Sequence, residues 1–562
     1  MNFPAAIVAC VLVAAAVVVA AADARTAPRN SSSQPNIVFI VIDDLGFDDV
    51  GFKSHQIKTP NIDQASILSG RYAMHHGIVN WIPPKDSYGL PLNHTTLPQL
   101  LKNGGYDTHA IGKWHLGFYK WDYTPTFRGF NSFLGYYSGG ENYFTHKNGP
   151  AYDMHRDPLP SCGQNCSQIA FDLQGQYSTT IFSDEAVRVI DDHIGPKPLF
   201  LYLAYQAVHE PAQAPQSYID PYTDLIPDAQ RRTFAGMLSC LDEGIGNVTR
   251  ALKRNGFYNN TLIVFTTDNG GPILGGDSVG ARNYPMRGGK HAVYEGGVRG
   301  IAFVHPPQNT FVETGAGYHN LMHAADWLPT LCDAAGVECH TQQSLDGVSH
   351  WDAMTTNTNS TLRGDVVLGN ATDLCDATNC GFAYRKGDWK FIRGTGGMPF
   401  SWSTPMNQSG GNCNLAYGQC VDGASLGRVT AATAADCCYT CTNTTKCTYS
   451  TFLANQTSNN CLLFASSTAS TLDTNCISGA HDPKQVPYTT LNPLGYQLFN
   501  IAQDPNEHTD VASSHADVAK QMNSELDSIL QSYVQAQNDP NCPFPTSGWP
   551  QTRYGPVMVP WC

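Results

Sequence analysis

Apolar segments of strand length alternate with segments of helical period between Pro35 and about Pro307. The strand-like segments read NIVFIVIDD, YDTHAIGKWH, PLFLYLAYQAVHE, TLIVFTTDNGG and RGIAFVHP, and helical segments such as TTLPQLLKNGG lie between them. Strands that are apolar along their whole length are typical of a parallel sheet whose two faces are both covered. The pattern therefore predicts an α/β fold with a large, mostly parallel sheet sandwiched by helices.

The character of the sequence changes after about Gly364. GFAYRKGDWKFIR and GYQLFNIAQDPNEHTDV are typical of antiparallel strands, and ADVAKQMNSELDSILQSYV has apolar residues at helical spacing. These apolar positions are Val518, Met522, Leu526, Ile529 and Tyr533. We predict a large N-terminal domain over residues 35–363 and a smaller antiparallel sheet with a helix over residues 364–410 and 481–562.

A cysteine-rich segment, residues 411–480, interrupts the C-terminal part. It is poor in aliphatic residues and contains Cys413, Cys420, Cys437, Cys438, Cys441, Cys447, Cys461 and Cys476. This composition predicts an insert that is closed by its own disulfides. The pattern AADCCYTCTNTTKCTYSTF resembles a PAN/apple domain, and the resemblance implies binding of carbohydrate or protein by the insert.

The charge of the chain limits its partners. The 562 residues include 33 Lys and Arg against 47 Asp and Glu, a formal net charge of −14. An acidic surface argues against nucleic acid as the main partner. It does not exclude an anionic substrate, because a bound metal or a few cationic side chains can create a positive field locally.

The N-terminus predicts export. A long apolar run ends at Ala22-Asp23-Ala24, which fits a cleavage site, so residues 1–24 are interpreted as a signal peptide. The alternative is an uncleaved signal anchor, since the run is close to membrane-spanning length. No later stretch is long enough to span a membrane.

Cysteines and glycosylation sequons favour the same compartment. There are 18 Cys, and glycosylation sequons recur, among them those at Asn93, Asn165, Asn247, Asn259, Asn370, Asn443 and Asn455. They predict a glycoprotein of the secretory pathway, lysosomal or extracellular. Without Cys10 the cysteine number is odd, and Cys240 is predicted to be a buried free thiol.

Four predicted strands are followed by polar side chains. Asp43 and Asp44 follow the first strand, Lys113 and His115 end the second, His209 follows the third, and Asp268 and Asn269 follow the fourth. In open α/β sheets, ligands bind outside the carboxyl ends of the strands. We therefore expect these residues to share one site.

The oxygen ligands Asp43, Asp44, Asp268 and Asn269 suit a hard cation, Ca²⁺ or Mg²⁺. No Cys or additional His accompanies them, which argues against zinc or another transition metal. Each piece alone has a structural interpretation: an Asp pair after a strand can cap a helix or form a turn. A lone His209 can be structural, and Lys113, His115 and Lys290 can lie on solvated loops.

The motifs VIDDLGFDDVGF, IKTPNID, LSGRY, GKWHLG, AVHEP, TDNGG, MRGGKHAVYEGGVRG and ADWLPTL occur in this order. Together they resemble the sulfatases, most closely the arylsulfatase B type, over nearly all of the chain except the cysteine-rich insert. The resemblance implies an alkaline-phosphatase-like fold. It also implies one Ca²⁺ at Asp43, Asp44, Asp268 and Asn269, with Lys113, His115, His209 and Lys290 in substrate-binding and acid/base roles.

The resemblance also exposes a gap. The family's nucleophile is a cysteine in C-x-P-S-R, oxidised to formylglycine, and it belongs between TPNID and LSGRY. Here those motifs are joined at Gln64–Ala65, and roughly two dozen residues are absent by the spacing of the family motifs. Ser66 and Ser69 lack the Pro and Arg of the motif, and no cysteine of the chain begins it.

The resemblance implies attack by the hydrated aldehyde on sulfur, with His209 and Lys290 assisting the leaving alcohol and His115 serving as base in the release of sulfate. Three hypotheses follow. The first is a sulfatase that acts on a sulfated carbohydrate such as a glycosaminoglycan, or on an aryl sulfate, but whose translated sequence here lost an exon or was mis-spliced, so that the chain as written is inactive. The second is a pseudo-enzyme that binds sulfated glycans, and the third is a phosphodiesterase of the same superfold.

Overall fold

The structure is a computed structural model. It describes residues 34–50, 68–78, 81–273, 280–313, 315–358, 362–371, 381–394, 396–397, 402–403, 414–430, 437, 441, 447, 449–453, 460–480, 495–534 and 536–562. At residues 370–371, 402–403, 414–424, 452 and 465–480 the backbone alone is described. The signal peptide predicted at residues 1–24, the junction Gln64–Ala65 and Ser66 lie outside the described residues.

The described helices and strands are as follows. The helices are α1 Ala73–His76, α2 Leu97–Asn103, α3 Ser178–Asp192, α4 Gln216–Ile219, α5 Ala229–Arg254, α6 Glu295–Val298, α7 Trp327–Ala335, α8 Trp351–Thr356 and α9 Ala516–Leu530. The strands are β1 Asn36–Ile42, β2 Asp107–Lys113, β3 Ser132–Tyr136, β4 Lys147–Asn148, β5 Ala151–Tyr152, β6 His155–Asp157, β7 Gln168–Ile169, β8 Leu199–Ala204, β9 Thr261–Thr267, β10 Ala302–His305, β11 Asp365–Ala371, β12 Gly381–Lys386, β13 Trp389–Arg393, β14 Trp402–Ser403, β15 Asn414–Val429, β16 Tyr449–Leu453, β17 Cys461–Ala480, β18 Tyr496–Asn500, β19 Gln551–Thr552 and β20 Gly555–Pro556.

Eight strands form the main sheet, in the order β10-β9-β1-β8-β2-β3-β6-β7. The five central strands are parallel, and β10, β6 and β7 pair antiparallel at the two sides. The predicted α/β sheet is therefore confirmed, and all five apolar segments that predicted strands form strands of it.

The central strand β1 shows why both faces of the sheet are covered. All seven of its residues are buried. Val38, Ile40 and Ile42 belong to one hydrophobic cluster, together with residues of α3 and α5, while Ile37, Phe39 and Val41 belong to a second, with residues of α2 and α7. Because successive strand residues point to opposite faces, a continuous apolar run supplies both clusters at once.

Local capping sets the ends of the helices around the sheet. The Asp228 carboxylate accepts the backbone N–H of Arg231 at 2.6 Å and caps α5. Thr96 and Gln99 form a capping box at the start of α2. Gly336, with φ 64°, ends α7 in the left-handed region that favours glycine.

The C-terminal part contains the predicted smaller antiparallel sheet, in the order β11-β12-β13-β18. Helix α9 packs beside it through Ala519, Met522 and Leu526. The boundaries given for the domains remain a prediction. Within the described residues, no helix is both long and apolar enough to cross a bilayer.

The cysteine-rich insert contributes a third sheet, β14-β15-β17-β16. Two disulfides, Cys437–Cys461 and Cys441–Cys447, join cysteines that both belong to the insert. Its likeness to a PAN/apple domain stays a prediction. Outside the insert, Cys240 is buried and free, as expected, and Cys332 and Cys339 are also free.

Candidate active site

Parallel strands deliver the candidate residues to one edge of the sheet. Asp43 and Asp44 follow β1, Lys113 is the last residue of β2, His209 follows β8, and Asp268 follows β9. Since β9, β1, β8 and β2 are neighbours, their carboxyl ends lie side by side. Lys290 reaches the same place from the loop before α6.

The acidic residues are linked by hydrogen bonds. Asp268 Oδ1 accepts the backbone N–H of Asp44 at 3.0 Å and that of Asn269 at 2.7 Å. The side-chain amide of Asn269 donates to Asp44 Oδ1 at 2.8 Å. The residues that follow β1 and β9 are therefore fixed relative to each other.

Two lysines neutralise two of the carboxylates. Lys113 Nζ lies 2.6 Å from Asp43 Oδ2, and Lys290 Nζ lies 2.8 Å from Asp44 Oδ2. Burial alone would lower the pKa of Lys290, but the charges of Asp44 and Asp43 outweigh it and raise that pKa above the ordinary value. Lys290 is therefore a permanent cation at this site.

His209 lies beside the acidic group. Its Nδ1 is 2.9 Å from the carbonyl oxygen of Glu210, and its Nε2 is 3.7 Å from Asp44 Oδ2. A carbonyl oxygen can only accept, so Nδ1 carries the proton and Nε2 faces the site. The hydroxyl of Tyr143 donates to the carbonyl oxygen of His209 at 2.7 Å and holds its backbone in place.

His115 differs from His209. Its Nε2 accepts the backbone N–H of Ile82 at 3.0 Å. Burial, followed by the charge of Lys113, lowers the pKa of His115 to about 3. His115 is therefore a neutral imidazole whose Nε2 lone pair is engaged by Ile82.

Two of these residues have unusual backbone conformations. Asp44 has φ 63° and His115 has φ 48°, both in the left-handed region that non-glycine residues seldom adopt. Such conformations persist where surrounding contacts hold them, and they are concentrated at functional sites. The backbone geometry thus points to the same group of residues as the side-chain contacts.

The neighbouring charges shift the pKa values of the carboxyl groups in opposite directions. Burial would raise the pKa of Asp43, but Lys113 and then His209 lower it below its ordinary range. Burial, Asp43 and Asp44 raise the pKa of Asp268 well above its ordinary value. A third negative charge is therefore unfavourable here unless a further cation accompanies it.

The unfavourable third negative charge fits a metal site, where a bound cation would offset it. Asp43, Asp44 and His209 each offer a ligand atom, and those atoms lie within 4.8 Å of one another. Asp268 and Asn269 are hydrogen-bonded to Asp44 in the same group. Most of the donor atoms are carboxylate and amide oxygens, which a hard cation prefers.

Buried polar contacts fix the loops that carry the site. Asp49 Oδ2 accepts the backbone N–H of Gly46 at 3.1 Å and that of Arg282 at 2.9 Å, and Arg231 donates to Oδ1 at 2.5 Å. Asn283 exchanges two hydrogen bonds with the backbone of Gly271. Hydrogen bonds thus join the loop that carries Lys290 to the loops that follow β1 and β9.

A family model described as Sulfatase matches residues 35–337. The chain belongs to the sulfatase family. Arylsulfatase J of Mus musculus is 39% identical over 384 residues, which are 64% of this chain and 62% of that protein. The uncharacterized sulfatase YdeN of Escherichia coli (strain K12) is 30% identical, over 56% of each chain. The matched part is thus less than two thirds of the length of these relatives.

Solved structures agree with this membership. "Crystal structure of Ps i-CgsB" has a TM-score of 0.63 and 26% identity, and covers 89% of this chain and 94% of that chain. "Crystal structure of Ps i-CgsB in complex with k-i-k-neocarrahexaose" has a TM-score of 0.63 and 25% identity, and covers 92% of this chain and 96% of that chain.

A further sequence relative is the N-acetylgalactosamine-6-sulfatase of Homo sapiens, which is 26% identical over 56% of this chain and 65% of that protein.

The structure of this sulfatase adds contacts that the motifs did not predict. The Tyr143 hydroxyl donates to the backbone carbonyl of His209, and the backbone N–H of Ile82 donates to the His115 ring. Each bond uses one backbone atom, which leaves no pattern in the sequence. A Cβ atom on Gly139 would lie 2.7 Å from the His115 ring, and one on Gly140 would lie 3.4 Å from His209. The Gly-Gly pair in SGGEN was the available signal, because adjacent glycines often mark a close approach of the backbone.

Proposed function

We propose that this chain derives from a hydrolase of sulfate esters on carbohydrate, and that the chain, with Gln64 joined directly to Ala65, binds such an ester without hydrolysing it. The observation that supports this is the convergence of Asp43, Asp44, Asp268 and Asn269 with Lys113, Lys290 and His209 at one edge of the sheet. It combines a pocket for a hard cation with fixed positive charges for an anion.

Two ammonium groups are available for the sulfate oxygens. Lys113 and Lys290 have half-buried side chains, with 17% and 19% exposed, so their charges are weakly screened by water. Asp43, Asp44, Asp268 and Asn269 would hold the proposed Ca²⁺. When bound, that ion supplies Lewis-acid polarisation of a sulfate oxygen.

His209 is proposed as the group that moves the proton. Its Nδ1–H is held by Glu210, so Nε2 is the atom that takes up and delivers a proton. Nε2 lies 3.7 Å from Asp44 Oδ2, beside the proposed cation site, where a protonated ring would donate to a leaving alcohol. His115, with Nε2 bound by Ile82, can donate from Nδ1 in this arrangement, and its proposed role as a base would require release of Ile82.

The nucleophile is the missing part. A formylglycine precursor in C-x-P-S-R is absent from the sequence, and the junction at Gln64–Ala65 lies outside the described residues. Ser69 is described and is buried, with 8% exposed. It precedes Gly70, which packs against Leu328 of α7, so its neighbourhood is the hydrophobic core.

The proposed substrate class is a sulfated sugar. The support comes from the names of similar proteins: one relative is an N-acetylgalactosamine-6-sulfatase, and one similar structure is a complex with k-i-k-neocarrahexaose. An aryl sulfate is the corresponding simple probe. We further propose that the protein is a glycoprotein that acts in the lysosome or outside the cell, and Asn93, Asn165 and Asn259 of its sequons are exposed.

A true pseudo-enzyme that binds sulfated glycans is the second candidate. It is favoured by the fact that the carboxylates, lysines and His209 converge although the nucleophile segment is absent. A phosphodiesterase is disfavoured, because such enzymes of this superfold generally use two metals with His ligands. Within the described part of the chain, one group of three or more metal-ligating side chains occurs, and it contains a single His.

Calorimetric titration with 4-nitrophenyl sulfate in calcium buffer tests ester binding. We expect weak binding, with a dissociation constant of about 1 mM, and a loss of about tenfold in Lys113→Gln and in Lys290→Gln. Lys386→Gln, which removes an exposed lysine of β12, is the matched control and should bind as the parent does.

Hydrolysis is assayed with the same ester. The parent chain should release no nitrophenol. A version with the corresponding segment of mouse Arylsulfatase J inserted between Gln64 and Ala65, produced with the formylglycine-generating enzyme, should release it. Comparable turnover by both chains would refute the proposal that the parent lacks its nucleophile. Absence of binding by both chains would refute the proposed sulfate-ester site.

A further inference from the structure

A serine, a histidine and an aspartate from distant parts of the chain form a hydrogen-bonded row. His75 Nε2 lies 2.8 Å from the hydroxyl oxygen of Ser532, and His75 Nδ1 lies 2.7 Å from Asp346 Oδ2. The two pairs are separated by 457 and 271 residues in the sequence. None of the three residues belongs to the group at the carboxyl ends of the strands. The same order of side chains activates the nucleophile of serine hydrolases on several unrelated folds.

Backbone contacts fix the two residues that would activate the serine. The N–H groups of Asp346 and Gly347 both donate to the Gly70 carbonyl oxygen, at 3.1 and 3.0 Å. Asp346 Oδ2 also accepts the backbone N–H of Tyr72 at 2.9 Å. His75 lies in α1, three residues after Tyr72. One short stretch of chain thus carries the imidazole and binds the carboxylate that faces it.

The serine is held against His75 by a second set of backbone bonds. The Val534 N–H donates to the Met74 carbonyl oxygen at 2.8 Å, and the Ala536 N–H donates to that of Gly77 at 3.3 Å. These bonds join the chain that follows α9 to α1, on both sides of His75. Groups that are aligned in advance in this way lose little entropy when a reaction requires their alignment.

The hydrogen-bonding roles suit general-base catalysis. The ionised Asp346 carboxylate can only accept, so His75 Nδ1 carries the proton and the Nε2 lone pair faces Ser532. The Ser532 hydroxyl has two acceptors within reach, His75 Nε2 at 2.8 Å and the Ile529 carbonyl oxygen at 2.7 Å. Rotation about the Cβ–Oγ bond turns the hydroxyl proton toward Nε2, which is the direction required for its removal.

A substrate can reach the serine from solvent. Ser532 is exposed, and the side chains of His75 and Asp346 are each 15% exposed. The following residues are apolar: Tyr533 is half-buried and Val534 is 48% exposed. These side chains suit a short apolar acyl group, and the negative charge of Asp346 disfavours an anionic one.

We propose that Ser532, His75 and Asp346 form a second hydrolytic site, which cleaves uncharged carboxylic esters with short acyl groups. Ser532 Oγ forms a bond to the carbonyl carbon while its proton passes to His75 Nε2. The bond from that carbon to the alcohol oxygen then breaks with its electron pair on the oxygen, and His75 gives its proton to the alcohol. Water attacks the acyl-serine through the same two proton transfers and releases the acid and free Ser532.

The backbone around the serine limits this site to reactive esters. The N–H groups of Ser532, Tyr533 and Val534 already donate to carbonyl oxygens, at 3.2, 3.1 and 2.8 Å. They are therefore not available to bind the oxyanion of the tetrahedral intermediate, and one such donor is worth about 10²–10³ in kcat. We expect turnover of aryl esters, whose leaving groups depart easily, in preference to alkyl esters.

Covalent labelling tests the nucleophile without any substitution. The parent chain is treated with a fluorophosphonate, which reacts with activated serines, and its peptides are analysed by mass spectrometry. We expect Ser532 to be modified at least about tenfold faster than Ser528, an exposed serine of α9 whose hydroxyl donates to the Ser524 carbonyl oxygen at 3.1 Å. His75→Gln should remove this difference. Equal labelling of Ser532 and Ser528 in the parent would overturn the proposal.

Hydrolysis of 4-nitrophenyl acetate in EDTA is the second readout, because the three residues require no metal. The rate should fall at least about tenfold in Ser532→Ala and in Asp346→Asn, which favours the wrong tautomer of His75. It should be unchanged in Ser528→Ala. Both serine variants should keep the Tm of the parent within about 1 °C, since each removes only an exposed hydroxyl group.

The outcomes separate this proposal from the proposed function. If Ser532→Ala keeps the rate of the parent, Ser532 is not the nucleophile and the second site is refuted, whatever the result with 4-nitrophenyl sulfate. If the acetate is hydrolysed through Ser532 but 4-nitrophenyl sulfate is not bound, the second site stands and the sulfate-ester site fails.

Discussion

Lys390 Nζ lies 2.9 Å from Glu295 Oε1, and neither side chain is more than 3% exposed. Lys390 belongs to β13 of the C-terminal sheet, Glu295 begins α6 beside the main sheet, and Glu507 Oε1 lies 2.9 Å from the same ammonium group. Burial would lower the pKa of Lys390, but Glu295 and Glu507 raise it above the ordinary value. One buried cation thus joins the C-terminal sheet to α6.

Lys390→Met should destabilise the protein by about 3–5 kcal/mol, because it removes the cation that both buried glutamates contact and leaves Glu295 only the more distant Arg299 and Arg385. Urea unfolding measures the loss. Lys386 lies on the adjacent strand β12, is exposed, and pairs with Glu525 of α9. Lys386→Met should therefore lower the free energy of unfolding by less than about 1 kcal/mol. Equal losses in the two variants would contradict the role given to Lys390.

Acid should destabilise the protein through His76. Burial, then the charges of His94 and Arg71, lower the pKa of His76 to about 4, while Asp346 raises it. Its Nδ1 accepts the Ile78 backbone N–H at 3.2 Å, a bond that only the neutral ring can make. The folded state therefore binds fewer protons than the unfolded state between pH 6.5 and pH 4, and stability falls as the pH falls through this window.

The expected loss from His76 over that window is about 3 kcal/mol. His76→Asn keeps an acceptor near the Nδ1 position but cannot be protonated, so it should flatten the dependence of urea stability on pH. His340→Asn, at a side chain that is 84% exposed, is the control and should leave the dependence unchanged. An equally steep profile in His76→Asn would refute the assignment.

Gly139 should be the less replaceable of two adjacent glycines. A Cβ atom there would lie 2.7 Å from Cε1 and Nε2 of His115, closer than real contacts allow, whereas one on Gly140 would be in ordinary contact with His209 at 3.4 Å. Gly139→Ala should displace the His115 ring, and Gly140→Ala should not.

The Cε1–H resonance of His115 in an NMR spectrum reports this displacement directly. Binding of 4-nitrophenyl sulfate should weaken by about tenfold or more in Gly139→Ala, because small misplacements of site groups are costly. It should change little in Gly140→Ala. If the resonance has the same position in both variants, the loop that carries Gly139 has moved instead of the His115 ring.

Calcium should reverse the effect of Asp268→Asn on the thermal stability of the protein. The substituted side-chain amide keeps the Oδ1 acceptor for the N–H groups of Asp44 and Asn269 but removes one of three crowded carboxylates. Without calcium, in EDTA, the Tm of this variant should equal or exceed that of the parent, since repulsion from Asp43 and Asp44 is relieved.

With calcium, the parent should gain several degrees in Tm and Asp268→Asn should gain less, because a bound ion stabilises the folded state according to its affinity. Differential scanning calorimetry in EDTA and in CaCl₂ provides the four values. A calcium shift of the same size in both proteins would remove Asp268 from the cation site.

Cys240 should resist alkylation in the folded protein. Burial raises its pKa to about 11, so about 0.1% of the thiol is ionised at pH 8. The half-buried Cys339 has a pKa below the ordinary value, because the thiol of Cys332 donates to it. Iodoacetamide treatment followed by peptide mass spectrometry should label Cys339 first, and faster labelling of Cys240 would contradict this order.

Sequence patterns predicted the central strands because each one buries both faces, so its apolar run is unbroken. The same runs located Asp43, Asp44, Asp268 and His209, since residues that follow parallel strands must meet at one edge. The antiparallel direction of β10 left no such trace. An apolar run looks the same in either direction, and strand direction depends on the path of the chain between β9 and β10.

Long-range polar contacts were beyond the reach of sequence patterns. Lys390 lies in the short strand β13, where a lysine normally faces solvent, and it is buried against Glu507, which lies more than a hundred residues away. The bond from Ile82 to His115 uses a backbone N–H, which every residue but proline possesses. Only the folded chain shows which of these groups meet.

The pairing of Lys113 with Asp43 and of Lys290 with Asp44 has a thermodynamic consequence. Each ammonium group is shared between a carboxylate and any anion that enters the site, so an anion that recruits the lysines withdraws their charge from the acids. The acids then hold a cation more tightly, and by reciprocity the cation raises the affinity for the anion by the same factor. Affinities for the two ions measured separately will therefore underestimate those of the ternary complex.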